Sequence, residues 1–147
     1  MDSIQNKYEL AKKVTSEVEK RRDAINNEAD KMQAAYNSKL NGYQQRAATM
    51  TEEQAIAARE DMESTQRTMM EKRQALDQEF GQWASSKNLS LMKDIQDYLK
   101  KFNADGTYSF IFSYEPGFFY YSNPANDITS EVLKGLNQQY SSSSKKE

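Results

Sequence analysis

Ala48-Thr49-Met50-Thr51-Glu52-Glu53-Gln54 is the stretch on which the fold turns. Thr51 followed three residues later by Gln54 has the capping-box spacing, in which each side chain satisfies the other residue's backbone N–H. Glu52 and Glu53 place negative charge where a helix begins. A helix therefore starts here, and only a very short loop separates it from whatever precedes it. Neither of the two prolines lies before position 116, so the chain on both sides of the stretch can be helical almost throughout.

Upstream, Ile4, Ala11, Val18, Ile25 and Met32 recur every seven residues, and Tyr8, Thr15, Arg22, Ala29, Tyr36, Tyr43 and Met50 form the companion position. Alternating steps near three and four predict a helix with one buried stripe from about Ser3 to Ala48. Downstream, between Glu52 and Phe102, Met62, Met69, Leu76 and Trp83 lie seven apart, whereas Met69, Phe80, Leu91 and Phe102 lie eleven apart. The eleven-residue period favours a straight or slightly right-handed path, hence a loose helix pair over 80–102. If the chain doubles back at the quoted stretch, facing residue numbers share a constant sum. Met32 with Met69, Ile25 with Leu76, Val18 with Trp83 and Tyr43 with Ala58 all satisfy the same one. Residues 1–103 are thus expected to form a long antiparallel helical hairpin with its tip near 49–52 and arms of about 65–75 Å.

Beyond Phe102 the composition changes. Asn103-Ala104-Asp105-Gly106 signals a turn. Tyr108, Phe110, Phe112 and Tyr114 then alternate as one strand face, Glu115-Pro116-Gly117 supplies a second turn, and Phe118-Phe119-Tyr120-Tyr121-Ser122 reads as a second strand. Asp127 is placed to cap a helix whose apolar face is Ile128, Val132, Leu133 and Leu136. Residues 104–140 are therefore expected to form a β-hairpin plus C-terminal helix, and 141–147 a disordered tail. The fold class is mainly α with a small β part (α+β). A lone hairpin is marginal in water and exposes edges, so the base predicts a homo-oligomer joined through it.

The composition narrows the function. Hydrophobic residues are 37% and charged residues 29%, yet the net charge is only −2 and 11% of residues are aromatic. An elongated helical fold fits this balance better than disorder, which goes with high net charge and few aromatics. Histidine and cysteine are both absent, which removes the commonest neutral-pH acid/base, the commonest metal ligand and all thiol chemistry. The acidic groups Glu52-Glu53, Glu60-Asp61-Glu63 and Asp94-Asp97 alternate with Lys and Arg and read as solvated faces rather than catalytic pairs. With no P-loop, Rossmann or EF-hand pattern, neither an enzyme nor a cofactor is expected. A pI near 5.4 lacks the basic footprint of a nucleic-acid binder. No apolar run is long enough to span a membrane.

Phe119-Tyr120-Tyr121, Asp127-Ile128-Thr129 and Val132-Leu133-Lys134-Gly135-Leu136-Asn137, in that order after a long charged hairpin, resemble the C-terminal part of the Skp/OmpH family of periplasmic chaperones. The resemblance implies a trimer with a β-rich body and three helical arms around a cavity, and ATP-independent holding of unfolded outer-membrane proteins in the periplasm. It also leaves room for peripheral contact with a membrane. The family's signal peptide and first strand have no counterpart ahead of the helix, so the sheet is expected to be one strand short and the signal peptide already removed. Its best-known members are strongly basic, whereas this chain is slightly acidic, so clients are expected to be held more by apolar contact than by charge.

On that reading Tyr36, Tyr43, Met50, Met62, Met69 and Met70 line the distal arm and touch clients, because Met and Tyr make adaptable apolar surfaces. The competing reading makes them only the seam between two helices, with Met70 beside it. Phe80, Trp83, Phe110, Phe112, Phe119, Tyr120, Ile128, Val132 and Leu136 are the expected body core and subunit interface. A second functional reading is a structural or adaptor coiled coil that binds one folded partner.

Overall fold

Three of the four helices follow from the features just read. The computed structural model describes residues 3–113, 117 and 120–144. Helix α1 is Ser3–Lys7, α2 is Glu9–Arg46, α3 is Glu52–Phe102 and α4 is Thr129–Ser144. A 3-10 turn, Ala47–Thr49, joins α2 to α3, and another, Pro124–Asn126, precedes α4. The capping box forms as the sequence predicts: Thr51 N–H donates to Gln54 Oε1 at 3.1 Å, and Gln54 N–H donates to Thr51 Oγ1 at 3.3 Å. The chain forms two compact units, one of Met1–Val18 with Ser85–Glu147 and one of Glu19–Ala84. The division falls inside α2 and α3 rather than at residue 103.

In the unit of Glu19–Ala84, α2 and α3 run antiparallel. Arg21 pairs with Glu79, Glu28 with Lys72, and Lys39 with Asp61. The steps are seven and then eleven residues along both helices (21, 28, 39 against 79, 72, 61). The eleven-residue step anticipated only for the later part of α3 is therefore present here too, and it unwinds the pair from a strict heptad supercoil. Burial is thin. Ile25 is the one described residue of this unit that is buried, while Met32, Tyr36, Leu40, Met62, Met69 and Leu76 are each partly buried. Two helices alone cannot enclose a stripe from all sides, so the pairing rests on partial apolar burial with exposed ion pairs beside it. Such pairs set register more than they add stability.

The other unit holds the core. Tyr8, Ala11, Val132, Leu133 and Leu136 are buried together, Leu136 completely, with Ile4, Leu10, Leu91, Ile95, Tyr98, Leu99, Phe102, Ile128 and Tyr140 packed around them. Tyr8 meets Tyr140 edge-to-face with centroids 6.5 Å apart, and burial, then Asp94, then Tyr140 push its phenol above the ordinary value. Gly135 of α4 lies under the Tyr98 ring. A Cβ there would fall on the Tyr98 hydroxyl and 2.5 Å from ring carbon Cζ, so α4 approaches α3 at a spot where only glycine fits. Asp127 Oδ1 accepts Thr129 N–H at 2.9 Å, as a cap does, and the two hydrogen bonds to Thr129 hold its carboxyl below the usual range.

Two expectations are corrected. Among the described residues there is no strand. Residues 106–113 are irregular, with Phe110 and Phe112 stacked 5.7 Å apart, while Tyr114, Glu115, Pro116, Phe118 and Phe119 lie outside the described residues. The physical reason is coverage: Phe110 is 77% exposed and Phe112 65%, and a two-stranded ribbon with no packed layer is not stable by itself. The Asn103 turn does form. Asn103 donates Nδ2 to Tyr108 C=O at 2.7 Å and accepts Tyr108 N–H at 2.9 Å, with Phe102 stacked on Tyr108. The second correction concerns 141–144, expected as disordered tail and found as the last turn of α4. Ser142 and Ser143 hydroxyls donate back to the carbonyls of Gln138 and Gln139 at 2.8 and 3.0 Å, the local bond that lets serine sit in a helix. Residues 145–147 lie outside the described residues.

Candidate client-binding surface

The six residues expected to touch clients all fall in the unit of Glu19–Ala84. Five of them, Tyr36, Tyr43, Met50, Met62 and Met69, are partly buried, with most of their surface covered, and Met70 is 66% exposed. The stripe thus lies along the seam between the helices, with Met70 beside it. Its inner edge joins the helices and its outer edge reaches solvent. Met70 stands off the seam, where its thioether is free of packing constraint.

Tyr43 has a more specific setting than an apolar contact. Its hydroxyl donates to Asp61 Oδ2 at 2.6 Å, and Lys39 Nζ bonds the same carboxylate and Thr65 Oγ1. The Lys39 and Tyr43 hydrogen bonds hold the Asp61 carboxyl below its usual range, and donating to Asp61 pushes the Tyr43 phenol above its own. The ring is thus pinned across the two helices with its polar end satisfied. Phe80 and Trp83 are in the same unit, 6.3 Å apart on α3, with Arg22 over the Phe80 ring at 5.2 Å and Arg21 over the Trp83 ring at 4.8 Å. Each ring thus carries a cation–π contact with a guanidinium group.

In the unit of Met1–Val18 and Ser85–Glu147, Ile128, Val132 and Leu136 come together as expected, and Val132 and Leu136 are core. Phe110, Phe112 and Tyr120 are exposed rather than core in the single chain. Phe119 lies outside the described residues. Sequence reasoning missed Ile56, 54% exposed near the start of α3, and Leu89 and Met92, one turn apart and exposed on α3. It also missed Val14, which is buried. The available signal for the exposed ones was negative. Ile56, Leu89 and Met92 are large apolar residues outside both the seven- and the eleven-residue series, so no internal seam accounts for them.

Within the described residues there is no group of acidic side chains suited to hold a metal ion, and no helix is long and apolar enough to cross a membrane. A long antiparallel helix pair with a partly buried Met/Tyr stripe in one unit, and a small core with exposed aromatic residues in the other, make this a mainly helical protein. The chain matches the family described as outer membrane protein (OmpH-like) over residues 1–136, and it belongs to that family. At the level of the family this is a periplasmic chaperone class that binds outer-membrane proteins, and not an enzyme class. No curated protein and no solved structure matches the chain.

Proposed function

We propose that the chain is an ATP-independent holdase that keeps unfolded outer-membrane proteins from aggregating in the periplasm, with clients held in a cavity between the helical arms of a homotrimer. The observation that carries the reading is the thin burial of the Glu19–Ala84 unit. Apart from Ile25 its apolar stripe is only partly buried, and Met70 and Ile56 beside it are more than half exposed. Such a surface offers many weak, adaptable contacts and no single deep pocket, which suits a client without fixed structure. Assembly through the other unit fits the exposure of Phe110, Phe112, Tyr120 and Tyr121 together with Leu89 and Met92. That much apolar surface in one small unit marks an interaction site.

The test dilutes a urea-denatured outer-membrane β-barrel protein into buffer with and without the chaperone and follows light scattering, after the mass in solution has been measured. The proposal expects a trimer that suppresses scattering at about one trimer per client. Unchanged scattering in the presence of a verified trimer rejects it. A fixed stoichiometry with a folded partner, and indifference to unfolded chains, would support the adaptor reading instead.

A further inference from the structure

Residues 3–18 contain neither proline nor glycine, yet the helix they form is interrupted. α1 ends at Lys7 and α2 begins at Glu9, with Tyr8 between them. The ladder reaches the junction from both sides, with Tyr8 N–H on Ile4 C=O at 2.9 Å and Lys12 N–H on Tyr8 C=O at 3.0 Å. At the junction itself the partner changes. Glu9 N–H donates to Asn137 Oδ1 at 2.9 Å, and Asn137 Nδ2 donates to Lys7 C=O at 3.2 Å. One carboxamide from α4 thus occupies both a donor and an acceptor of the helix backbone. Sharp helix breaks have a small set of causes: proline, glycine or serine pairs, a bulge, or a side chain inserted into the ladder. Proline and glycine are absent here, and the inserted side chain is seen, the Asn137 carboxamide.

We infer that the break at Tyr8 is imposed by Asn137, so that docking of α4 and the interruption of the first helix form one two-state element. When Asn137 is in place, Tyr8 turns inward, 2% exposed, against Leu136 and the Tyr140 ring. When it leaves, nothing in residues 3–18 opposes an uninterrupted helix, with Glu9 N–H on Gln5 C=O and Ala11 N–H on Lys7 C=O, the bonds that the 3.6-residue geometry supplies. Asn137 is a positioning residue. Its carboxamide fits because it carries a donor and an acceptor side by side, the pair that Lys7 C=O and Glu9 N–H require. By reciprocity, anything that lifts α4 straightens the start of α2, and anything that straightens this helix loosens α4.

The experiment uses the full chain, isotope-labelled for NMR, as wild type, Asn137→Ala and Asn137→Leu. Alanine removes the carboxamide, and leucine replaces it with an apolar group of similar size that fills the space. The readouts are the Tyr8 13Cα shift, with Val14 as the helical reference, and the scalar coupling across the hydrogen bond to Glu9 N–H. In wild type the expected Tyr8 shift is non-helical and the coupling runs to the Asn137 side-chain carbonyl. In both variants Tyr8 is expected to move to the helical value, the coupling to appear at Gln5 C=O, and α4 to loosen with it. A Tyr8 that remains non-helical in the leucine variant overturns the inference, because the break would then come from burial of the Tyr8 ring rather than from the clasp.

Discussion

Replacing glycine by alanine inside a helix ordinarily stabilises it by about 0.5–1 kcal/mol, because alanine has less backbone freedom to lose. Gly81 of α3 offers that gain, since a Cβ there meets nothing within 4 Å. Gly135 of α4 does not. Its Cβ would coincide with the Tyr98 hydroxyl and sit 2.5 Å from Cζ and 3.0 Å from Cε2 of the same ring. The ring must move, yet it belongs to the packed core and lies against Phe102 with centroids 6.0 Å apart. Overpacking of this kind costs about 1–3 kcal/mol, which exceeds the propensity gain. Gly135→Ala is therefore expected to lower stability by up to about 2 kcal/mol, while Gly81→Ala raises it. Urea unfolding followed by circular dichroism, at one fixed protomer concentration because association contributes to apparent stability, measures both. The cycle closes with Tyr98→Leu, which removes the distal ring. In that background Gly135→Ala should recover the ordinary gain, leaving a coupling between the two sites of about 1–3 kcal/mol. A Gly135→Ala variant as stabilised as Gly81→Ala would refute the close approach of α4 to α3.

Met70→Glu is expected to weaken suppression of client aggregation with little change in the urea midpoint, whereas Met69→Glu, on the partly buried seam, lowers the midpoint as well; paired scattering and unfolding curves distinguish them. Client holding is expected to be nearly insensitive to salt between about 0.1 and 1 M, although the screening length falls from about 10 to 3 Å, and a steep loss of suppression would show that charge, not apolar contact, holds the client. Asp61 is held below the usual carboxylate range chiefly by Lys39 and then Tyr43, and Glu28 chiefly by Lys72. A depressed folded pKa gives stability that is present above the ordinary value of about 4 and is lost as pH falls through the folded value. The α2–α3 pair should therefore weaken below about pH 4, and Asp61→Asn with Glu28→Gln should flatten that acid limb in a pH series of unfolding midpoints. Phe110→Ser with Phe112→Ser is expected to shift the mass in solution toward monomer while α4 remains folded by amide exchange; an unchanged mass would remove these rings from the interface.

What was legible in the sequence, and what was not, follows from the range of the interactions involved. The tip was legible because a capping box is a three-residue device: Thr51 and Gln54 satisfy one another without help from the rest of the chain. The antiparallel pairing was legible because the apolar period of one helix has to match that of the other. The ion pairs at Arg21–Glu79, Glu28–Lys72 and Lys39–Asp61 follow the same register to within one residue. The first strand was overread over the described residues because alternation of Tyr108, Phe110 and Phe112 specifies which side chains share a face, and not whether anything covers that face. Among the described residues Phe110 stays 77% exposed, stacked on Phe112, while Tyr108 stacks on Phe102 instead. Among the candidate site residues, the stripe was legible and its incomplete burial was not, since periodicity records where apolar residues recur but not how many sides a neighbour closes. The break at Tyr8 was beyond reach for a further reason. Its cause lies at Asn137, 128 residues beyond Glu9, in a side chain whose effect is to replace two backbone bonds that residues 3–18, read alone, would have made with each other.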